Sequence, residues 1–238
     1  KERLGAVTFE FVDSTFNDPP GHAEAICEEL IRRKPGATLR TMGVNPAGVT
    51  RNLIDLMQQA GFAQIDCTPD SASPTMIANL RKGFTRRTLE EAAEAIREAD
   101  MPTMWFFLLG GPGESETTLS ETFDFVDRHI KENDMVHISE GLRIYPKTGL
   151  HDEAIRLGVL EPSESLLKPR FFVSPILGRA RLEEVVSEAL ATRPNCVRST
   201  ETNPPNAMLE AAIRQRRERS LTEPMFRTLL RLRRNGWN

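Results

Sequence analysis

The densest chemical signal in the sequence is Gly110-Gly-Pro-Gly-Glu-Ser115. Gly110, Gly111 and Gly113 would let the backbone pass close to a bound group, and a helix starting after Glu114 would offer free N–H donors. The Lys-Ser/Thr ending of a phosphate loop is missing, which argues against nucleoside-triphosphate hydrolysis. Local chemistry alone leaves two readings, a tight structural turn and a ligand loop. Thr68-Pro-Asp-Ser-Ala-Ser73 combines hydroxyls with a carboxylate. Such a cluster suits a ribose or an amino-acid head group, and equally the capping of a following helix. Asp13-Ser14-Thr15 has the same ambiguity.

Other chemistries are weakly supported. Cys27, Cys67 and Cys196 are odd in number and far apart, so they predict buried, reduced thiols rather than a disulfide framework or a CxxC-type metal site. His22, His129, His137 and His151 show no metal-ligand spacing and read as surface or capping residues. With 31 basic and 34 acidic side chains the net charge is -3, so no overall field draws the chain to nucleic acid. No apolar run approaches the ~20 residues that span a bilayer, and no signal-like segment opens the chain. The expected location is the cytoplasm. A hydrophobic content of 39% and a charged content of 27% describe a folded chain, not a disordered one.

The elements that must position these loops alternate. Ala6 to Val12 reads as a strand, and His22 to Arg33 as a helix stopped by Lys34-Pro35-Gly36. Thr38 to Val44 is a second strand, followed by a helix that Thr50 caps and Gly61 ends. Then come strand Phe62 to Cys67, helices Pro74 to Arg81 and Thr85 to Ala99, and strand Met101 to Leu109, apolar almost throughout as if buried on both faces. A helix over Ser115 to Lys131 and strand Met135 to Ile144 complete a parallel α/β sheet of five strands. Arg193 to Asn206 reads as a surface connection, and Arg-rich amphipathic helices close the chain. Ligands of such sheets sit at the carboxyl ends of the strands. Every loop singled out above falls there, as does Tyr145 to Gly149.

Taken in order, these segments resemble the radical S-adenosylmethionine superfamily, in particular its branch associated with a cobalamin-binding domain. The resemblance covers Phe9 to Pro175. It is carried by Phe11-Val-Asp-Ser-Thr-Phe-Asn17, by Met57-Gln-Gln-Ala-Gly61 leading through the next strand to Asp70-Ser-Ala-Ser73, and by Leu80-Arg-Lys-Gly-Phe-Thr85. Leu108-Leu-Gly-Gly-Pro-Gly-Glu-Ser115 and Ile144-Tyr-Pro-Lys-Thr-Gly-Leu150, with Ala154 and Gly158, continue it.

The resemblance implies a partial (β/α) barrel over residues 1–160, lacking its first strand, with a mostly helical extension over 161–238. It implies a 4Fe-4S cluster held by a CxxxCxxC loop, S-adenosylmethionine on the open iron, and cleavage to a 5′-deoxyadenosyl radical. Asp13 and Ser14 would lie near the methionyl amino group, and Asp70, Ser71 and Ser73 near the carboxylate or ribose. Gly110, Gly111, Gly113, Glu114 and Tyr145 would border the adenine. No CxxxCxxC occurs in this sequence. The expectation is therefore the distal part of such an enzyme, inactive alone, with cluster ligands and a cobalamin domain upstream and a small-molecule substrate.

Two other classes stand beside it: a degenerate barrel acting as a binding module, and a conventional (β/α) enzyme with a phosphate site at Gly110 to Ser115. The arginines at 214, 216, 217, 219, 227, 231, 233 and 234 alternate with Glu210, Glu218 and Glu223, which predicts a solvated helical face packed on the barrel rather than a nucleic-acid site. A strand at Ala6 to Val12 with an unpaired edge predicts self-association.

Overall fold

The computed structural model describes residues 5, 7–201 and 203–236. Alternation of strand and helix begins with β1 (Thr8–Phe11), α1 (His22–Arg33), β2 (Thr38–Val44), α2 (Arg51–Ala60) and β3 (Phe62–Asp70). Thr50 caps α2 by accepting from the Leu53 amide, and Gly61, at φ 100°, ends it, both as expected. After α3 (Pro74–Asn79), α4 (Arg86–Glu98) starts from a capping box between Thr85 and Thr88. β4 (Thr103–Leu109) leads to α5 (Glu116–His129), capped in the same way by Ser115 and Thr118.

The expected strand Met135 to Ile144 is broken at Gly141, whose φ is +87°. It becomes β5 (Met135–Glu140) and β6 (Leu142–Arg143). After α6 (Gly149–Arg156), β7 (Phe171–Phe172) pairs with β6 antiparallel, and α7 (Arg179–Thr192) returns to the main sheet. The expected surface connection at 193–206 contains β8 (Cys196–Arg198), a further parallel strand beside β5. Three residues are too few to show a period of two. Backbone pairing to Val136, His137 and Ile138 makes them a strand. α8 (Asn206–Glu218) and α9 (Met225–Arg234) close the chain.

The main sheet runs β1-β2-β3-β4-β5-β8, parallel throughout, without reversal of order. Right-handed crossovers between strands added in one direction place their helices on one face. The core lies there: Leu53 and Met57 of α2, Leu89 of α4, Phe125 of α5 and Val186 of α7 pack with Ile65, Trp105, Phe107 and Ile138 of the strands. The opposite face is open. β4 shows both sides, because Trp105, Phe107 and Leu109 are buried whereas Met104, Phe106 and Leu108 are only half-buried. The expectation of equal burial on both faces is corrected accordingly. A sheet covered on one side and open on the other is the layout of an incomplete (β/α) barrel.

Polar contacts bind α9 beneath the sheet. Arg227 donates to the Asp134 carboxylate at 3.1 Å, and Arg233 donates to the Cys196 carbonyl at 3.1 Å. The C-terminal arginines thus include structural ones, with Glu223 holding Arg231.

His137 departs from the surface role expected of it. Its side chain stacks on Phe106 with ring centroids 4.6 Å apart and planes 7° from parallel, and it is 6% exposed. Burial pulls its pKa down from 6.5 to about 4. Between those values the unfolded chain takes up a proton that folded His137 refuses, so its effect is a loss of stability as pH falls. Asp66 works in the opposite sense, because burial pushes its carboxyl up to about 6. His137→Phe should therefore gain stability over the parent as pH drops from 6.5 to 4.5, by roughly 1–2 kcal/mol. Urea midpoints measured across that range check this, and a pH-independent difference would refute it.

Candidate functional site at the carboxyl edge of the sheet

The loops after β1 and β2 are clamped together. Phe16 is fully buried against Phe11 and Phe62, with ring centroids 5.1 and 5.5 Å away, and its amide donates to the Gly43 carbonyl at 3.0 Å. Asn17 and Asn45 exchange hydrogen bonds of 2.8 Å in both directions. Gly43 has φ +66°, and a Cβ there would stand 2.3 Å from the Ser14 carbonyl oxygen. Glycine is needed for this crossing. The clamp leaves Asp13 and Ser14 exposed at the strand end.

At the end of β3, Asp70 sits at φ +63° with its carboxylate 2.6 Å from Lys82 Nζ. Burial pushes the Asp70 carboxyl upward, against the opposing pull of Lys82. Ser71 and Ser73 are placed differently from Asp70. Both are fully buried. Ser71 Oγ shares a 3.1 Å hydrogen bond with Thr122 Oγ1, and Ser73 Oγ donates to Glu121 at 2.5 Å. Ser73 holds the N-cap position of α3 without a side-chain capping bond, because its hydroxyl is directed to α5. Arg86 reinforces the junction by donating to the Ala72 carbonyl at 2.6 Å.

The glycine loop after β4 is organised from within by Glu114, which is fully buried. Its carboxylate accepts from the Gly110 amide at 3.0 Å and from Thr118 Oγ1 at 2.5 Å. Burial still pushes this carboxyl upward, although bonds from Thr118, Gly110 and Gly111 favour the ionised form. Gly110 and Gly113 take φ of +95° and +85°. A Cβ on Gly113 would meet Asn79 Nδ2 at 2.6 Å, which itself donates to the Pro112 carbonyl at 2.9 Å. A cleft of about 570 Å³ opens beside this loop between α3 and α6. Tyr145, beyond β6, is 53% exposed with the Arg143 guanidinium 4.9 Å from its ring centre.

The structure thus lines up Asp13, Ser14, Asp70 and the loop Gly110 to Glu114 along one edge, on β1, β3 and β4 of the same sheet. Ser71, Ser73 and Glu114 turn inward and hold that edge in shape. Lys82, Gly43, Thr122 and Glu121 complete it. Of these, Lys82 stands in a segment marked by its Lys-Gly pair, but its bond to Asp70 spans 12 residues and leaves no periodic trace.

The cysteines do not join this edge. Cys27 lies in α1, Cys67 in β3 and Cys196 in β8, all buried and free. Burial pushes Cys27 and Cys196 up to about 12 and Cys67 higher still. Iron–sulfur ligation needs thiolates gathered around one cluster. These three do not fit one, and among the described residues no group of three or more His, Cys, Asp or Glu side chains could hold a metal.

A model of the radical SAM superfamily matches residues 1–126, more than half of the 238. The chain belongs to the radical SAM superfamily. The solved structures agree at the level of the fold. The radical S-adenosylmethionine methyltransferase TsrM from Kitasatospora setae, with cobalamin and a [4Fe-4S] cluster bound, superposes with TM-score 0.71 at 17% identity, covering 97% of this chain and 52% of that one. A second TsrM structure, with tryptophan substrate and a SAM analog, gives 0.62 at 22%, covering 76% and 42%. The archaeal Elp3 of Methanocaldococcus infernus gives 0.58 at 14%, covering 92% and 57%. This radical SAM chain spans about half the length of those proteins. No curated protein sequence matched it. Among the described residues, no helix is long and apolar enough to cross a membrane.

Proposed function

We propose that this chain is the distal part of a radical SAM enzyme and that its carboxyl edge binds S-adenosylmethionine. When bound, S-adenosylmethionine supplies a 5′-deoxyadenosyl radical on reductive cleavage, for hydrogen abstraction or methyl transfer. The exposed Asp13 carboxylate and Ser14 hydroxyl accept from the methionyl ammonium. Asp70, steadied by Lys82, accepts from the ribose hydroxyls. The backbone of Gly110, Gly111 and Gly113 borders the adenine, with the exposed Tyr145 ring beside it. Ser71, Ser73 and Glu114 hold these groups in place.

What supports the reading most is that the edge loops of β1, β2, β3 and β4 all lie within the residues that match the family. Since the cysteines do not fit a cluster, we place the 4Fe-4S ligands, and any cobalamin domain, in polypeptide outside these 238 residues. β1 pairs only with β2 among the described residues, and its outer edge is where such polypeptide would add a strand.

The test is anaerobic iron–sulfide reconstitution of this chain beside a form extended upstream, followed by assay of 5′-deoxyadenosine from S-adenosylmethionine. The extended form alone should bind iron and make the product, and Asp13→Asn in it should raise the KM for S-adenosylmethionine about tenfold, the ~1.4 kcal/mol of a charge-assisted hydrogen bond. An extended form that makes no product would leave the barrel as a binding module. Iron bound by the present chain would refute the placement of the ligands.

A further inference from the structure

The open face of the sheet carries a polar ladder that the carboxyl edge does not use. Register sets Glu10 of β1 beside Arg40 of β2, and Arg40 beside Gln64 of β3. The Arg40 guanidinium stands 2.7 Å from the Glu10 carboxylate. Two residues along β3, Asp66 accepts from Gln64 Nε2 at 3.2 Å. No cation lies within ion-pair distance of Asp66 among the described residues. The guanidinium of Arg40 is thus committed to Glu10, and Asp66 is left short of positive charge. It is only 6% exposed, a position in which an uncompensated carboxylate is costly. Burial pushes its carboxyl up to about 6, against the pull of Gln64 and Arg40.

Beside this ladder the face is apolar. Met42 is 47% exposed and Val12 75% exposed. Met104 sits next to Asp66 in register, and half-buried Phe106 follows on the same face of β4. Phe106 is held flat by its stack on His137. The Nε2 of His137 is buried and has no hydrogen-bond partner among the described residues. His137 lies two strands over and two residues along from Asp66, about 12 Å at the usual strand spacing and rise. An acid without a cation, an apolar lane and an imidazole nitrogen without a partner among the described residues therefore follow one another across the face.

We propose that this face is a binding site for an amine on an apolar body of about 7–10 Å, the ammonium meeting Asp66 and the body lying across Met104 and Phe106. Calling that amine the enzyme's substrate rests on the function proposed above. The binding itself does not.

The probe pair is 4-phenylbutylamine and 4-phenylbutyrate, equal in length and opposite in charge. Each is titrated, without S-adenosylmethionine, into the chain labelled with 13C at the methionine methyl groups. The amine should shift Met42 and Met104 saturably, and bind at least tenfold more tightly than the carboxylate. Asp66→Asn should weaken the amine about tenfold with the melting temperature retained. Glu10→Gln, on an exposed site, serves if the first variant fails to fold, and should weaken it about threefold. Equal binding of the two probes, unchanged binding by the variants, or shifts confined to other methionines would overturn the proposal. An amine that binds here while the extended form makes no 5′-deoxyadenosine would sink the proposed function and leave this site standing.

Discussion

Glu114→Ala should lower the stability of the chain by about 4 kcal/mol and abolish binding of S-adenosylmethionine at the carboxyl edge. The size follows from what the carboxylate holds. Removing it leaves the Gly110 amide without its side-chain acceptor in a region closed to water, and leaves the Thr118 hydroxyl with only the Ser115 carbonyl at 3.0 Å in place of a charged partner. Each buried, unpaired donor costs about 1–3 kcal/mol, more where the lost partner is charged. The Gly110 to Glu114 turn also loses its only internal side-chain tie among the described residues, so its backbone no longer keeps the shape that follows β4. Glu114→Gln keeps one acceptor oxygen and should recover about half of the loss. Urea denaturation of the three proteins gives the comparison. Equal midpoints for Glu114→Ala and the parent would show that the carboxylate does not organise the loop.

An effect of similar size is expected at the other end of the sheet. Asp134 is 1% exposed and accepts from the Thr103 amide at 3.1 Å and from Arg227 at 3.1 Å. Arg227, itself 9% exposed, reaches Asp100 at 3.6 Å as well. Asp134→Ala leaves a buried guanidinium with only the exposed Asp100 at 3.6 Å and leaves the first amide of β4 without its side-chain acceptor. Breaking one partner of such a pair costs about 3–5 kcal/mol. The double variant Asp134→Ala, Arg227→Met should cost less than the two single changes added together, because the second removes the charge that the first leaves without its buried partner. Hydrogen exchange at Thr103 provides a local readout, and should quicken in both proteins that lack Asp134. Strict additivity of the two changes would mean that the pair of Arg227 with Asp134 does not help to hold α9.

Both effects sit on residues whose partners are distant in sequence, and this separates what was legible from what was not. Alternating strands and helices, the parallel sheet, the cap at Thr50 and the stop at Gly61 could all be read directly. So could the placement of the candidate loops at the strand ends. These features arise from burial of one side of a local element or from the backbone needs of a few neighbouring residues, and both leave a mark at short spacing. The order of the motifs identified the superfamily for the same reason.

The directions of the polar side chains were a different matter. Ser71 and Ser73 could point to a ligand or cap a helix on local evidence, and their hydroxyls were committed to Thr122 and Glu121, 51 and 48 residues away. Arg227 and Asp134 are separated by 93. The short strand β8 exists through pairing with β5 rather than through its own composition. The open face that carries Asp66 and the His137 nitrogen, which has no partner among the described residues, follows from all crossovers falling on one side. A hydrogen bond between distant residues needs only one donor and one acceptor, with no repeat along the chain. Local chemistry therefore determined which elements form and where a ligand would meet them, whereas tertiary packing alone decided which polar groups remain free to meet it.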